Sequence, residues 1–271
     1  MEEAAYEAAQ QDYLNGFASG AGLRGHHVVP IACCSARTRM IQVLESGGNV
    51  KLLLTSGGVT NASILASLVD LLGKPIADSN ALCIPTAEYG HPSCTPASAW
   101  RFIAGQSPST MCGLGWNSVG VLELTALPSI GEQRWVPWVR EADVLLVDGG
   151  DALFLCHWMR ESGLEALLPS LPDTVWVGVS AGSMVMTPRI GEAFVNWNPP
   201  TGSDTTLGVV DFSIFPHLDH ELMPDNTMEE AVRWAAGLGI PAYAIDDETA
   251  IKVTDGTVEV VSEGRWRHLP G

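Results

Sequence analysis

From residue 50 onward the chain alternates short, largely apolar runs with helical patterns, and few folds accommodate that alternation. The runs at 51–55, 81–86, 118–124, 144–147 and 175–179 read as strands buried on both faces, because a half-solvated strand would alternate apolar with polar residues. Helical patterns at 61–72, 136–141 and 152–162, and a further one after residue 180, separate them. Such strands make a parallel sheet, since each parallel pair needs a crossover and the helix supplies it. Beyond residue 209 the pattern changes. A strand at 211–215 and a helix at 228–236 precede runs at 242–245, 250–253 and 258–261 with only turns between them, which predict an antiparallel meander added to the sheet. The expected fold is α/β: a doubly wound, mostly parallel sheet with helices on both faces and a C-terminal antiparallel extension.

The 271 residues suffice for one large domain, and residues 50–271 are expected to form it. Residues 1–49 read as a different text, with weak periodicity and loop-like glycine and serine runs. They are expected to be a flexible extension, or foreign to a natural protein that starts near Val50. They hold five acids and three bases, so the body carries −15 of the net charge of −17. With 14 basic residues scattered singly against 31 acidic ones, no surface for nucleic acid is expected. No apolar run reaches the roughly 20 residues of a membrane span. Six cysteines without a C-x-x-C pair fit neither a zinc site nor a disulfide scaffold. No basic segment leads into an apolar one at the N-terminus, so a reducing cytoplasm is the expected compartment.

In open parallel sheets, ligands gather at the carboxyl ends of the strands. Two of those ends are unusual. Gly178-Val179-Ser180-Ala181-Gly182 matches the G-x-S-x-G nucleophile elbow, in which a tight strand-to-helix turn lifts a serine hydroxyl clear of the backbone. The N–H groups that follow it stand ready for an oxyanion. A nucleophilic serine needs a base. His217 follows the apolar run 212–215 through Pro216 and is expected to be that base. A metal cluster of His217, Asp219 and His220 is the less favoured reading, so no metal is expected. The orienting acid is open among Glu192, Asp204 and Asp211, because Asp219 lies too near His217 to reach round to Nδ1. At the second unusual end, Asp148-Gly149-Gly150-Asp151, paired glycines allow close backbone approach to a ligand.

Taken together, the strand ending in Gly149-Gly150-Asp151, the elbow Gly178 to Gly182 with Pro188 six residues on, and Phe215-Pro216-His217 resemble peptidase E, a serine exopeptidase family with a class I glutamine-amidotransferase-like fold. Leu52-Leu53-Leu54-Thr55-Ser56 also fits. The resemblance implies a flavodoxin-like sheet, Ser180 as nucleophile, His217 as base, and an oxyanion hole made by the N–H groups of Gly150 and Ala181. Some relatives use a Ser-His-Glu triad, which points to Glu192 as the acid, with Asp204 in reserve. Two departures from aspartyl dipeptidases stand out: Asp151-Ala152 replaces Asn-Thr, and Val195 occupies the position of a triad Asp. Gly149, Asp151 and Trp197 are the expected substrate contacts, Asp151 facing an α-ammonium. The expected activity is hydrolysis of short peptides through an acyl-enzyme, without a cofactor, by a monomer or homodimer. The rivals are an α/β-hydrolase-type esterase, a cyanophycinase-like peptidase and a non-catalytic binding module.

Overall fold

The computed structural model describes residues 50–271, so the extension expected at 1–49 lies outside the described residues. In chain order the elements are β1 Lys51–Thr55, α1 Ala62–Leu72, β2 Asn80–Ile84, α2 Ser98–Ile103, β3 Ser118–Val121, α3 Glu132–Glu141, β4 Val144–Val147, α4 Ala152–Ser162, α5 Leu164–Leu167, β5 Val175–Val179, α6 Ala181–Met184, β6 Ser213–Phe215, α7 Met228–Leu238, β7 Ala242–Ile245, β8 Thr249–Thr254, β9 Thr257–Ser262 and β10 Trp266–Leu269.

Seven strands form the main sheet in the order β3-β2-β4-β5-β1-β8-β9. The first five are parallel, while β8 and β9 run antiparallel at one edge. Every residue of β4 and β5 is buried, as their unbroken apolar runs require. Alternate side chains enter two separate cores. Leu53, Val144, Leu146 and Val177 pack with Ile64 and Leu68 of α1 and Phe102 of α2. Leu52, Leu54, Leu145, Val147 and Trp176 pack with α3, α4 and α7. The sheet is therefore covered on both faces. Side-chain oxygens start the helices: Asn61 accepts the Ile64 N–H and Asp151 accepts the Phe154 N–H, and Gly73 and Gly163 end α1 and α4 in left-handed conformation. Among the described residues no helix is long and apolar enough to cross a membrane.

The C-terminal meander divides between two sheets. Only β8 and β9 add to the main sheet; β7 pairs in parallel with β6 and antiparallel with β10 in a second sheet of three strands. The reason is α7: β6, α7 and β7 form a crossover unit, which pairs β7 with β6 before the chain turns back. That turn, 246–248, carries the chain from the second sheet to the first. Asp246 stabilises it, its carbonyl accepting the Thr249 N–H and its carboxylate the Thr249 hydroxyl.

Candidate active site

The strand ends converge on one edge of the main sheet, where a cavity of about 190 Å³ opens. Ser180, Gly149, His217, His220 and Asp247 are in its wall. Ser180 directly follows β5 with φ 50° and ψ −110°, outside the regions that ordinary residues occupy. Holding it there costs about 1–3 kcal/mol. The surroundings enforce it: the Ser180 N–H donates to the Thr55 carbonyl, its own carbonyl accepts the Ser183 and Met184 N–H groups, and the Ser183 hydroxyl donates to Thr55 and Gly178 carbonyls. The flanking glycines are required by packing. A Cβ on Gly178 would lie 2.3 Å from the Gly182 carbonyl oxygen, and one on Gly182 would lie 2.4 Å from the Val147 oxygen of the neighbouring strand. Gly182→Ala is accordingly expected to cost about 1–3 kcal/mol, read as a lowered unfolding midpoint in urea. A midpoint equal to wild type would refute the close-packing argument.

His217 comes from the second sheet. Phe215 and Ala244 are partners in the parallel pair β6–β7, so the segments beyond the two strands emerge side by side. One brings His217 and the other Asp247, and the Leu218 N–H bonded to the Ile245 carbonyl holds them together. His217 Nδ1 lies 2.8 Å from Asp247 Oδ1. Ser56, at the carboxyl end of β1, braces both: its hydroxyl accepts the His217 backbone N–H at 2.7 Å and donates to Asp247 Oδ1 at 2.6 Å. His220 Nε2 stands 3.5 Å from the other carboxylate oxygen. Burial disfavours the Asp247 charge, but the two imidazoles and the hydrogen bonds from His217 and Ser56 outweigh it and hold the carboxyl at about 2. A carboxylate at Nδ1 selects the tautomer that carries its proton there and leaves Nε2 with a lone pair. Nε2 is buried with no hydrogen-bond partner among the described residues.

The acid beside His217 is therefore Asp247, not Glu192. Glu192 is exposed in the turn Glu192–Phe194 and is absent from the cavity wall. Asp204, the reserve, forms a two-pronged ion pair with Arg189 and accepts the Gly191 N–H, closing the loop 189–204. Asp211 is exposed, and Asp219 pairs with Arg265. Asp247 lies 30 residues beyond His217 in the chain, past every acid that spacing places near or before the histidine. The signal that could have found it is the run Asp246-Asp247-Glu248 directly after a strand, the placement that marks Ser180 and His217.

At the second glycine turn, Gly150 has φ 127°, and a Cβ there would lie 2.3 Å from the Ala87 carbonyl oxygen. The Gly149 N–H is engaged by its neighbour, donating to Asp148 Oδ1. Ala181 is buried and opens α6. Asp151 and Trp197 are tied to each other and do not line the cavity: Asp151 caps α4 through one oxygen and accepts the Trp197 N–H through the other. Trp197 packs edge-on against Phe154.

A family model for peptidase family S51 matches residues 52–261. Among solved structures, the chain is similar to a protein described as a putative peptidase E from Listeria monocytogenes EGD-e, with 20% identity over 79% of this chain and 99% of that one, at a TM-score of 0.58. A peptidase from an acI-B1 actinobacterium is similar at 20% identity over 84% and 94%, with a TM-score of 0.60. At that identity the likeness speaks for the fold. No curated protein matches. The family match spans both the sheet and the strand ends that build the cavity, and the chain belongs to peptidase family S51, as a serine-type peptidase.

Proposed function

We propose that the protein hydrolyses short peptides with Ser180 as nucleophile, His217 as general base and Asp247 as the acid that orients it. The observation that carries this reading is the orphaned His217 Nε2: a buried imidazole fixed through Nδ1 by a carboxylate, its other nitrogen unpartnered, in the wall of the cavity that Ser180 also lines. Ser180 Oγ attacks the scissile carbonyl and its proton passes to Nε2. The N–H groups of Gly150 and Ala181 receive the oxyanion. His217 then returns the proton to the leaving amine, and water hydrolyses the acyl-enzyme by the same route. The Asp247 charge stabilises the imidazolium formed in between. Cys83, Cys94, Cys112 and Cys156 are free thiols, which suits a reducing cytoplasm.

A fluorophosphonate probe tests the assignment. Mass spectrometry is expected to find one adduct, on Ser180, and a dipeptide library is expected to be cleaved by the unlabelled protein only. Labelling elsewhere, or a labelled protein that still cleaves, would overturn the proposal. Cleavage of esters with no turnover of any peptide would replace it with the esterase reading.

A further inference from the structure

The cavity holds two acids that the hydrolytic mechanism does not use. Glu88 lies in the turn Thr86–Gly90 beyond β2, and Asp148 directly follows β4. Both line the cavity, and both are more than nine-tenths buried, at 8% and 5% exposure. Asp148 Oδ1 accepts the Gly149 N–H, but Asp148 Oδ2 and Glu88 Oε2 are buried without a hydrogen-bond partner among the described residues. Two unsatisfied carboxyl oxygens on residues that line one cavity are costly to maintain in a protein that gains nothing from them.

Sheet order gives these acids a place relative to Ser180. Ile84 and Val147 pair across β2–β4, Val147 and Gly178 pair across β4–β5, and the Asp148 N–H donates to the Ile84 carbonyl. Along the edge the order is therefore Glu88, Asp148, Ser180, then Ser56 at the end of β1 and Asp247 before β8. With about 4.8 Å between strands, Asp148 stands one step from the nucleophile, and the Asp151 N–H bonded to the Ala87 carbonyl holds the turn that carries Glu88 against the glycine turn after β4. His217, braced by Ser56 and Asp247, lies on the opposite side of Ser180. The leaving amine has to reach His217 to take its proton, so the acyl portion of the substrate extends the other way, over Asp148 and Glu88.

We infer that the Glu88–Asp148 pair forms the acyl-side subsite of this peptidase and takes a cationic nitrogen of the substrate, satisfying the two orphaned oxygens at once. The inference rests on Ser180 and His217 acting as proposed above. Charge supports it. Two carboxyl groups and the Arg101 guanidinium line this part of the cavity, and a cationic nitrogen adds positive charge beside the two acids. Within the cavity, burial pushes Glu88 up to about 7 against the opposing field of Arg101, and burial together with the Glu88 charge pushes Asp148 well above the carboxylate range. A cation is the ligand that relieves both. Its source is either the α-ammonium of a substrate cleaved at its first bond or a lysine or arginine side chain.

Calorimetric titration with small amides separates these sources and needs no turnover. L-leucinamide carries the α-ammonium, N-acetyl-L-lysinamide the side-chain cation, N-acetyl-L-leucinamide neither, and N-acetyl-L-aspartamide an acidic side chain. At least one cationic amide is expected to bind about ten-fold or more tightly than the neutral one. The Glu88→Gln/Asp148→Asn double variant is expected to lose that preference and keep its weak affinity for N-acetyl-L-leucinamide. Asparagine preserves the acceptor for the Gly149 N–H, and each single variant, expected to lose part of the preference, guards against a misfolded double. Equal binding of cationic and neutral amides, preference for the acidic amide, or selectivity that survives both substitutions would overturn the inference. Fluorophosphonate labelling of Ser180 reports separately on the mechanism: labelling without cation preference sinks the subsite alone, and cation preference without labelling sinks the mechanism alone.

Discussion

Ser180→Ala is expected to lower kcat/KM for any cleaved peptide by about 10³–10⁶-fold, the loss seen when a hydrolase keeps its binding site and loses its nucleophile. The fold is expected to survive, because alanine keeps the Cβ and the backbone bonds around residue 180 involve only main-chain atoms of that residue. Ser180→Gly gives a sharper version of the experiment. It removes the same hydroxyl but also relieves the strain of φ 50°, so it is expected to be equally inactive and about 1 kcal/mol more stable than Ser180→Ala, after the flexibility that glycine adds to the unfolded chain. Unfolding curves of the two variants measured beside their activity check both halves. Activity within ten-fold of wild type in either variant would remove Ser180 from the chemistry, and a glycine variant less stable than the alanine variant would show that the turn is not strained.

How much of this was legible in the sequence depends on the length over which each signal acts. Buried strands announce themselves locally: Val144–Val147 and Val175–Val179 have no alternative to a doubly covered sheet, and the motifs at their ends follow. The elbow is legible for the same reason, since Gly178 and Gly182 are demanded by contacts within a few residues and with the adjacent strand. The division of the meander was not, because β7 and β8 are separated by a turn like any hairpin; what sends them to different sheets is the pairing of β7 with β6 across α7. Short elements with exposed residues escape too. β10 has three exposed residues out of four, and α2 spans only six. The partner of His217 belongs to the same class. Ser56 and Asp247 are 161 and 30 residues from His217 along the chain, and only sheet order makes them neighbours.

The identity of that partner has the second large consequence. Asp247→Ala removes the charge that stabilises the imidazolium, the acceptor that holds the Nδ1 proton in place and the brace on the ring, and is expected to lower kcat by about 10⁴-fold. Asp247→Asn should do less harm than the same substitution does in other triads, and the reason is Ser56. Its hydroxyl accepts the His217 backbone N–H and so has a single proton to give, which goes to the oxygen at the Oδ1 position. An amide at residue 247 is therefore held with its oxygen toward Ser56 and Nδ1 and its nitrogen toward His220. The productive tautomer survives, only the charge is lost, and the expected fall is nearer 10²-fold. Adding Ser56→Ala frees the amide to turn, and the double variant should drop to the level of Asp247→Ala. Because the carboxyl sits at about 2 rather than its ordinary 3.8, its contribution to stability is present above pH 3.8 and disappears as pH falls through 2, so Asp247→Asn should also flatten the acid end of the stability profile. Glu192→Gln is the control, expected to stay within about two-fold of wild type, as befits an exposed residue outside the cavity. Near-normal turnover in Asp247→Ala, or a collapse in Glu192→Gln, would return the orienting role to the loop after the elbow; a 10⁴-fold fall in Asp247→Asn alone would show that Ser56 does not steer the amide.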